Sequence, residues 1–307
     1  MCRPSVGCRH VPRQEDGVLW FFTSDLHGQL GRYRSLWRHV EQESPDAVLL
    51  GGDLLPHMYA SLTLDPSHAD FVNGVLAPGF RRLREQMGDA YPDVLLILGN
   101  DDPRFEESAV LSAGADGLWR YIHERRVMSR GVPVYGYANV PPTPFLLKDW
   151  ERYDVSRFVD PGSVSPEEGR RTVPVDARRV RYATIIEDLN RLAGEDELSN
   201  AVFLFHSPPY ETCLDRAALD GRMVDHVPLD VHVGSIAIRR FIERRQPAVT
   251  LHGHVHESAR LTGHWRDVIG RTHLLGGAHD GPELALVRFD PLQPESATRA
   301  LVPAAGE

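Results

Sequence analysis

The sequence predicts an α/β fold in which a mixed or parallel β-sheet carries helices on its faces. Three observations lead there. The first third of the chain alternates short apolar runs with helix-period segments, which is the pattern of βαβ units. Polar residues capable of metal or proton chemistry stand just past the ends of those apolar runs, where an open α/β sheet presents a ligand site. The 307 residues, 42% apolar and 25% charged, are enough for a sizeable core and ordinary for a globular protein.

The elements follow in order. Residues 1–16 hold Arg, Pro, Gln, Glu and Asp without the apolar stretch of a signal peptide, and read as a flexible leader to a domain over 17–292. Val18 to Thr23 (VLWFFT) predicts a buried strand ending before Asp25. Residues 30–43 place Leu30, Tyr33, Leu36, Trp37 and Val40 on one helical face. Asp46 to Leu50 predicts a second strand, ahead of Gly51-Gly52-Asp53. A helix broken near Pro78-Gly79 is expected over 67–87, then a third buried strand from Val94 to Leu98, ahead of Gly99-Asn100. Residues 104–126 read as helical and Val132 to Tyr137 as a strand.

From Pro141 to Pro174, prolines, aromatics and charges show no period. The segment 141–176 is expected as a long surface excursion that could cap the site, the alternative being a mobile loop with no role. Periodicity returns at 176–193, with Val180, Ala183, Ile186 and Leu189 in one stripe. A strand from Ala201 to Phe205, a helix from Ser235 to Arg245 and a strand from Ala248 to Leu251 come next. Strands near Val268 to Leu275 and Glu283 to Phe289 close the domain, and 293–307 reads as a C-terminal tail. There is no internal repeat or linker, so one domain is expected.

Composition narrows the function classes. A net charge of −9 disfavours a broad nucleic-acid or anionic-membrane footprint. Of the 34 basic residues only Lys148 is lysine, so single arginines are not read as phosphate clamps. Cys2, Cys8 and Cys213 are odd in number and form no disulfide framework, which points to a reducing compartment. No apolar run approaches the ~20 residues of a membrane span. A soluble cytoplasmic protein with no membrane partner is expected.

Five motifs carry the chemistry: Asp25-Leu26-His27, Gly52-Asp53, Gly99-Asn100-Asp101-Asp102, His206, and Gly253-His254-Val255-His256. Taken singly, each has a plain reading as a turn or a helix cap. The two imidazoles of the last motif, two residues apart after an apolar strand, are the most specific signal. Together the motifs supply seven oxygen or imidazole ligands and no thiol. A carboxylate such as Asp53 can bridge two cations, and cations ~3.5–4 Å apart can position a nucleophile and steady phosphoryl oxygens. The donor set suits Mn, Fe, Zn, Ni or Co.

The set DLHG, GGD, GNDD, HSPP and GHVH resembles the calcineurin-like metallophosphoesterase superfamily, over roughly residues 18–290. The stretches HSPPYETCLD, Val233-Gly234-Ser235, GHVHES and Pro142 to Phe145 are similar to its small bacterial and archaeal phosphoesterases. The resemblance implies a four-layer αββα sandwich of two mixed β-sheets flanked by helices. It implies that Asp25, His27, Asp53 and His256 hold one divalent metal ion and that Asp53, Asn100, His206 and His254 hold a second, manganese first among the candidates. Asp53 would bridge, with a water or hydroxide as nucleophile.

One position departs from the pattern. Many members carry His where this chain has Asp101. An ionised carboxylate there could not donate a proton, and would repel a dianionic monoester more than a monoanionic diester. Asp101 could equally point away and close the turn. Asp102 is expected to orient a ligand or cap the following helix. His252 is expected to be buried against the sheet. Looser candidates are His279 and Asp280 near the last strands, and Tyr210, Thr212, Asp215, His232 and Arg239 after His206. Arg81-Arg82 and Arg125-Arg126 are expected on solvated helix faces.

The expected function is hydrolysis of a small phosphorylated substrate by a two-metal-activated water, diesters before monoesters, with Asp53, Asn100 and Asp101 in the catalytic set. The alternatives are a nucleotide or pyrophosphate hydrolase, and a non-catalytic binding scaffold on the same fold.

Overall fold

In this computed structural model, residues 17–57 and 70–306 are described. The expected leader 1–16, with Cys2 and Cys8, lies outside the described residues, as does the start of the helix expected at 67. The first half runs β1 (Trp20–Thr23), α1 (Leu30–Glu43), β2 (Ala47–Gly51), α2 (Ala77–Met87), β3 (Asp93–Ile97), α3 (Glu107–Ala115), β4 (Arg120–Tyr121), β5 (Arg125–Ser129) and β6 (Val132–Tyr137). The second half runs α4 (Ala177–Tyr182), α5 (Ile185–Ala193), β7 (Val202–Phe205), the short pair β8 (Met223–Val224) and β9 (Val227–Pro228), and α6 (Ile236–Arg245). It closes with β10 (Val249–His252), α7 (Ser258–Thr262), β11 (Arg266–Ile269), β12 (Thr272–Gly276), β13 (Leu284–Phe289) and β14 (Thr298–Val302).

Two six-stranded mixed sheets result, ordered β14-β13-β1-β2-β3-β4 and β11-β12-β10-β7-β6-β5. Strands β1 to β4 pair in parallel, and so do β12, β10, β7 and β6. The antiparallel strands β13, β14, β11 and β5 sit towards the edges. Every residue of β1, β2, β7 and β10 is buried, which is why these segments read as unbroken apolar runs. Apolar residues of both sheets, with Tyr33, Leu36 and Val40 of α1, Phe80 and Leu83 of α2 and Val110 of α3, form the main core. A second core seats Ile185 and Leu189 of α5 and Phe241 and Ile242 of α6 on Tyr135, Phe203 and Phe205, with the Tyr135 and Phe203 rings stacked at 4.5 Å. The layers are those of two mixed sheets flanked by helices.

Several boundaries differ from expectation for local reasons. The helix expected over 104–126 stops at Ala115, because Gly117 takes φ 78° and Arg120 and Tyr121 beyond it join the edge of β3 as β4. Arg125 and Arg126 therefore lie exposed on the edge strand β5 and not on a helix. Pro78-Gly79 does not break a helix. A π-helical turn at 72–76 runs straight into α2, with Pro78 in its first turn. The stretch 176–193 splits in two: the Asp176 side chain caps α4, and the Thr184 hydroxyl caps α5 after an extended Ala183. Residues 268–275 fold as a hairpin about Gly270 at φ 63°.

Residues 293–306 are not a tail. Strand β14 extends the first sheet, and Ala305 donates its backbone N–H to Gly31 of α1 at 3.1 Å.

The segment 141–176 is irregular, as expected, but its middle is not on the surface. Lys148, Trp150 and Glu151 are buried, and Trp150 Nε1 donates to the Asp102 carbonyl at 2.7 Å. Asp149 accepts the Arg104 N–H at 2.8 Å. The only lysine of the chain donates Nζ to Glu151 at 2.5 Å and to the Thr143 carbonyl at 2.8 Å. No helix among the described residues is long and apolar enough to cross a membrane.

Candidate metal centre

All the motif residues follow carboxyl ends of parallel strands. Asp25 follows β1, Asp53 follows β2, Asn100 follows β3, His206 follows β7, and His254 and His256 follow β10. In each sheet these strands are neighbours, so their ends converge from two sides. Backbone pairing continues past the strands: Asp25 N–H donates to Gly52 at 2.9 Å and His27 N–H to Asp53 at 2.8 Å. Two bonds tie the sheets together at this point. His254 N–H donates to Asp25 Oδ1 at 3.0 Å, and His206 Nδ1 bonds the Gly51 carbonyl at 2.8 Å.

The side chains gather into groups whose ligand atoms lie within 4.8 Å of one another. One holds Asp25, His27, Asp53 and His256, and another holds Asp53, His206 and His254, with Asp53 in both. Asn100 belongs beside the second, because its Oδ1 lies 3.0 Å from His206 Nε2. His206 Nε2 is 3.3 Å from Asp53 Oδ2, and His256 Nε2 is 3.2 Å from Asp25 Oδ1 and 3.1 Å from His27 Nε2. All seven sequence-predicted ligands are thus brought together.

The arrangement fits divalent cations on its own terms. With Nδ1 held by the Gly51 carbonyl, His206 presents Nε2 to Asp53 and Asn100, the way a ligating imidazole is oriented. His27 Nδ1 is buried without a hydrogen-bond partner. The glycines leave no spare volume: a Cβ on Gly99 would come within 2.7 Å of His206 Cε1, and one on Gly253 within 2.6 Å of Asp25 Oδ2. Asp25, His27, Asp53 and His254 all adopt positive φ, between 46° and 73°.

Charge is distributed unevenly. Burial opposes ionisation of Asp25, yet the hydrogen bond and charge of His256 pull it down to about 2. Burial likewise opposes Asp53, and His206 overrides it, holding the carboxyl far below its ordinary value. Burial works against a charged His206 and His256, but Asp53 raises the first to about 10 and Asp25 the second to about 9. Burial and the nearby His206 lower His254 to about 3.

Asp101 does not point away. Its N–H donates to Asp53 Oδ1 at 2.8 Å, its Oδ1 accepts from Asn100 at 3.1 Å, and burial together with Asp53 lifts it to about 7. Asp102 neither caps a helix nor reaches a ligand side chain. It accepts the N–H groups of Leu54, Leu55 and Gly99 at 3.1, 2.8 and 2.9 Å, clamping the loop after β2 to the loop after β3.

His252 is buried between the Ser207 carbonyl and the Thr250 hydroxyl, as expected. Asp215 accepts from Glu211, Thr212, Gly234 and His232, and Tyr210 donates to Asp230, so these residues build their own loop. His279 pairs with Glu283 and Asp280 with Arg260.

Three residues escaped sequence reasoning. The Ser24 hydroxyl donates to Asp25, and Arg32 donates to the Asp25 carbonyl at 2.6 Å. His57 stacks on His27 with ring centroids 4.8 Å apart, and its Nδ1 lies 3.3 Å from Asp101 Oδ2. Only the position of His57, four residues past Asp53 in one loop, hinted at it.

Known structures share this architecture. One solved chain superposes with a TM-score of 0.56 at 17% identity, covering 93% of this chain and 99% of its own. TT1561 of Thermus thermophilus gives 0.53 at 17% identity, with the same coverage of 93% and 99%. A dimetal phosphatase from Danio rerio gives 0.49 at 13% identity, covering 90% of this chain and 93% of its own. For the first two, at 17% identity, the likeness is one of fold. No curated protein matches the sequence. The family model described as calcineurin-like phosphoesterase matches residues 21–258, a span that includes all seven converging candidate ligands, and the chain belongs to that family of metallophosphoesterase hydrolases.

Proposed function

We propose that this protein hydrolyses phosphoester bonds in a small phosphorylated substrate at a two-cation centre, phosphodiesters in preference to monoesters. The observation that carries the reading is Asp53, a buried carboxylate common to both donor groups. Asp25, His27, Asp53 and His256 would hold one divalent cation, and Asp53, Asn100, His206 and His254 the other. A set of carboxylate, amide and imidazole donors without thiolate is compatible with manganese, the first candidate, and equally with iron, zinc, nickel or cobalt. Bound there, the cations would supply Lewis-acid polarisation of the phosphoryl group and activation of water at neutral pH.

The chain's own residues do the rest. Asp53 and Asn100, on loops clamped together by Asp102, fix the donor geometry at the reacting phosphoryl group. Asp101 adds a carboxylate at the mouth of the centre, its side chain 23% exposed. Lifted to about 7, that carboxyl is ionised above neutral pH, where its charge repels a dianionic monoester more strongly than a monoanionic diester and sets the proposed preference.

The test is turnover of bis-p-nitrophenyl phosphate against p-nitrophenyl phosphate, in protein stripped of metal and reloaded with Mn²⁺. Wild type should favour the diester, and Asp53→Asn should lower the rate on the order of 10²–10³-fold. Asp101→His should shift the ratio towards the monoester. An unchanged ratio would remove the diester argument, and turnover surviving in Asp53→Asn would remove the two-cation reading.

A further inference from the structure

His57 stands apart from the other imidazoles around the centre. The nitrogens of His206 face Gly51, Asn100 and Asp53, and Nε2 of His27 faces His256. These nitrogens face groups of the cluster itself, and His27 Nδ1 is buried. The His57 side chain is more than half exposed and lies one ring-thickness out, nearly parallel to His27 at 16°. Its Nδ1 faces Asp101 Oδ2 at 3.3 Å, and Asp101 is itself tied through its N–H to Asp53. The other ring nitrogen has no hydrogen-bond partner among the described residues.

Stability does not explain this arrangement, because an ion pair this exposed contributes little to folding. Stacking and the carboxylate do fix the ring's plane and direction. A ring held at one nitrogen by a carboxylate, on a centre whose other donors are turned inward, offers its second nitrogen to whatever occupies the mouth. We infer that His57 is a substrate-contacting residue of this centre, oriented by Asp101 at Nδ1–H and, with both ring nitrogens protonated, donating its second N–H to an oxygen of the bound phosphoester. The inference rests on the phosphoesterase reading above. Asp101 then has two effects: it repels excess negative charge, and it positions the one exposed imidazole. His27, His57 and Asp101 also lie close enough together to hold a cation themselves, which is the competing role.

The experiment uses the full chain loaded with Mn²⁺ and inorganic phosphate as the probe. Phosphate binding is read by calorimetry, metal content by mass spectrometry, and KM and kcat with bis-p-nitrophenyl phosphate. His57→Ala should keep its metal and its melting temperature, weaken phosphate about tenfold, the size of one hydrogen bond to a charged group, and raise KM. The effect of His57→Ala should shrink when repeated in an Asp101→Ala background, since the carboxylate acts through the ring. Phosphate affinity and KM within twofold of wild type would overturn the inference while Asp53→Asn still tests the phosphoesterase reading by itself. Loss of metal in His57→Ala would overturn it in favour of the competing role. Wild type that neither binds phosphate nor turns over the diester would overturn both readings.

Discussion

On the proposed ligand set, a cation must displace protons from His206 and His256. In the cation-free protein both are held well above the ordinary imidazole range, His206 to about 10 by Asp53 and His256 to about 9 by Asp25, against the opposing effect of burial. A ligating imidazole must be neutral, so at pH 7 metal binding should release about two protons. The sign follows: raising the pH towards 9 and 10 removes the competing protons, so apparent Mn²⁺ affinity should rise across that window and fall below it. His254, lowered to about 3, adds nothing to this dependence near neutrality. Calorimetric titration of Mn²⁺ in buffers of different ionisation enthalpy measures the release. Heats independent of the buffer would show that these imidazoles are not the ligands.

Loops after strands, more than the strands themselves, set the precision of the centre. Gly99 closes the turn after β3 against Asp53 and His206, with no room for a methyl group. Gly99→Ala must push one of them aside, and Mn²⁺ affinity or turnover should drop by about 10–100-fold with the sheets intact. Normal activity in Gly99→Ala would mean that the turn tolerates more play than its packing indicates. The irregular segment that supports this turn is anchored by a buried pair. Lys148→Met would strand Glu151 without its cation and should cost about 3–5 kcal/mol in urea denaturation. Lys148→Met/Glu151→Gln should recover much of that loss. If the two substitutions are simply additive, the pair is not coupled as its geometry implies.

Across the whole molecule, what could be read from the sequence divides along physical lines. The buried parallel strands were legible because both faces are covered, so VLWFFT and VLLIL announce themselves without ambiguity. The candidate ligands were legible because each motif follows such a run, and DLHG, GGD, GNDD and GHVH, all but that of His206, include a glycine. Pairing between distant segments was not: β14 opens on Thr298-Arg299, is short and partly exposed, and looks like a tail until β13 provides its ladder. Residues 104–126 read as one helix because the sequence alone does not show that Gly117 takes a positive φ and ends it. His57 was hidden for a similar reason, since its importance comes from contacts across loops and not from periodicity. The backbone at the ligands was illegible as well, and it has a consequence for how the fold and the site compete. Of the two smallest substitutions at an ordinary helical position, alanine is the more stable and glycine the less, by about 1 kcal/mol. At His27, with φ 46°, that order should reverse: His27→Gly should unfold at higher denaturant than His27→Ala, by about 1 kcal/mol. The same inversion should hold at Asp25, Asp53 and His254, all with positive φ. A chain selected for endurance alone would drift towards glycine at all four positions and lose its ligands in doing so.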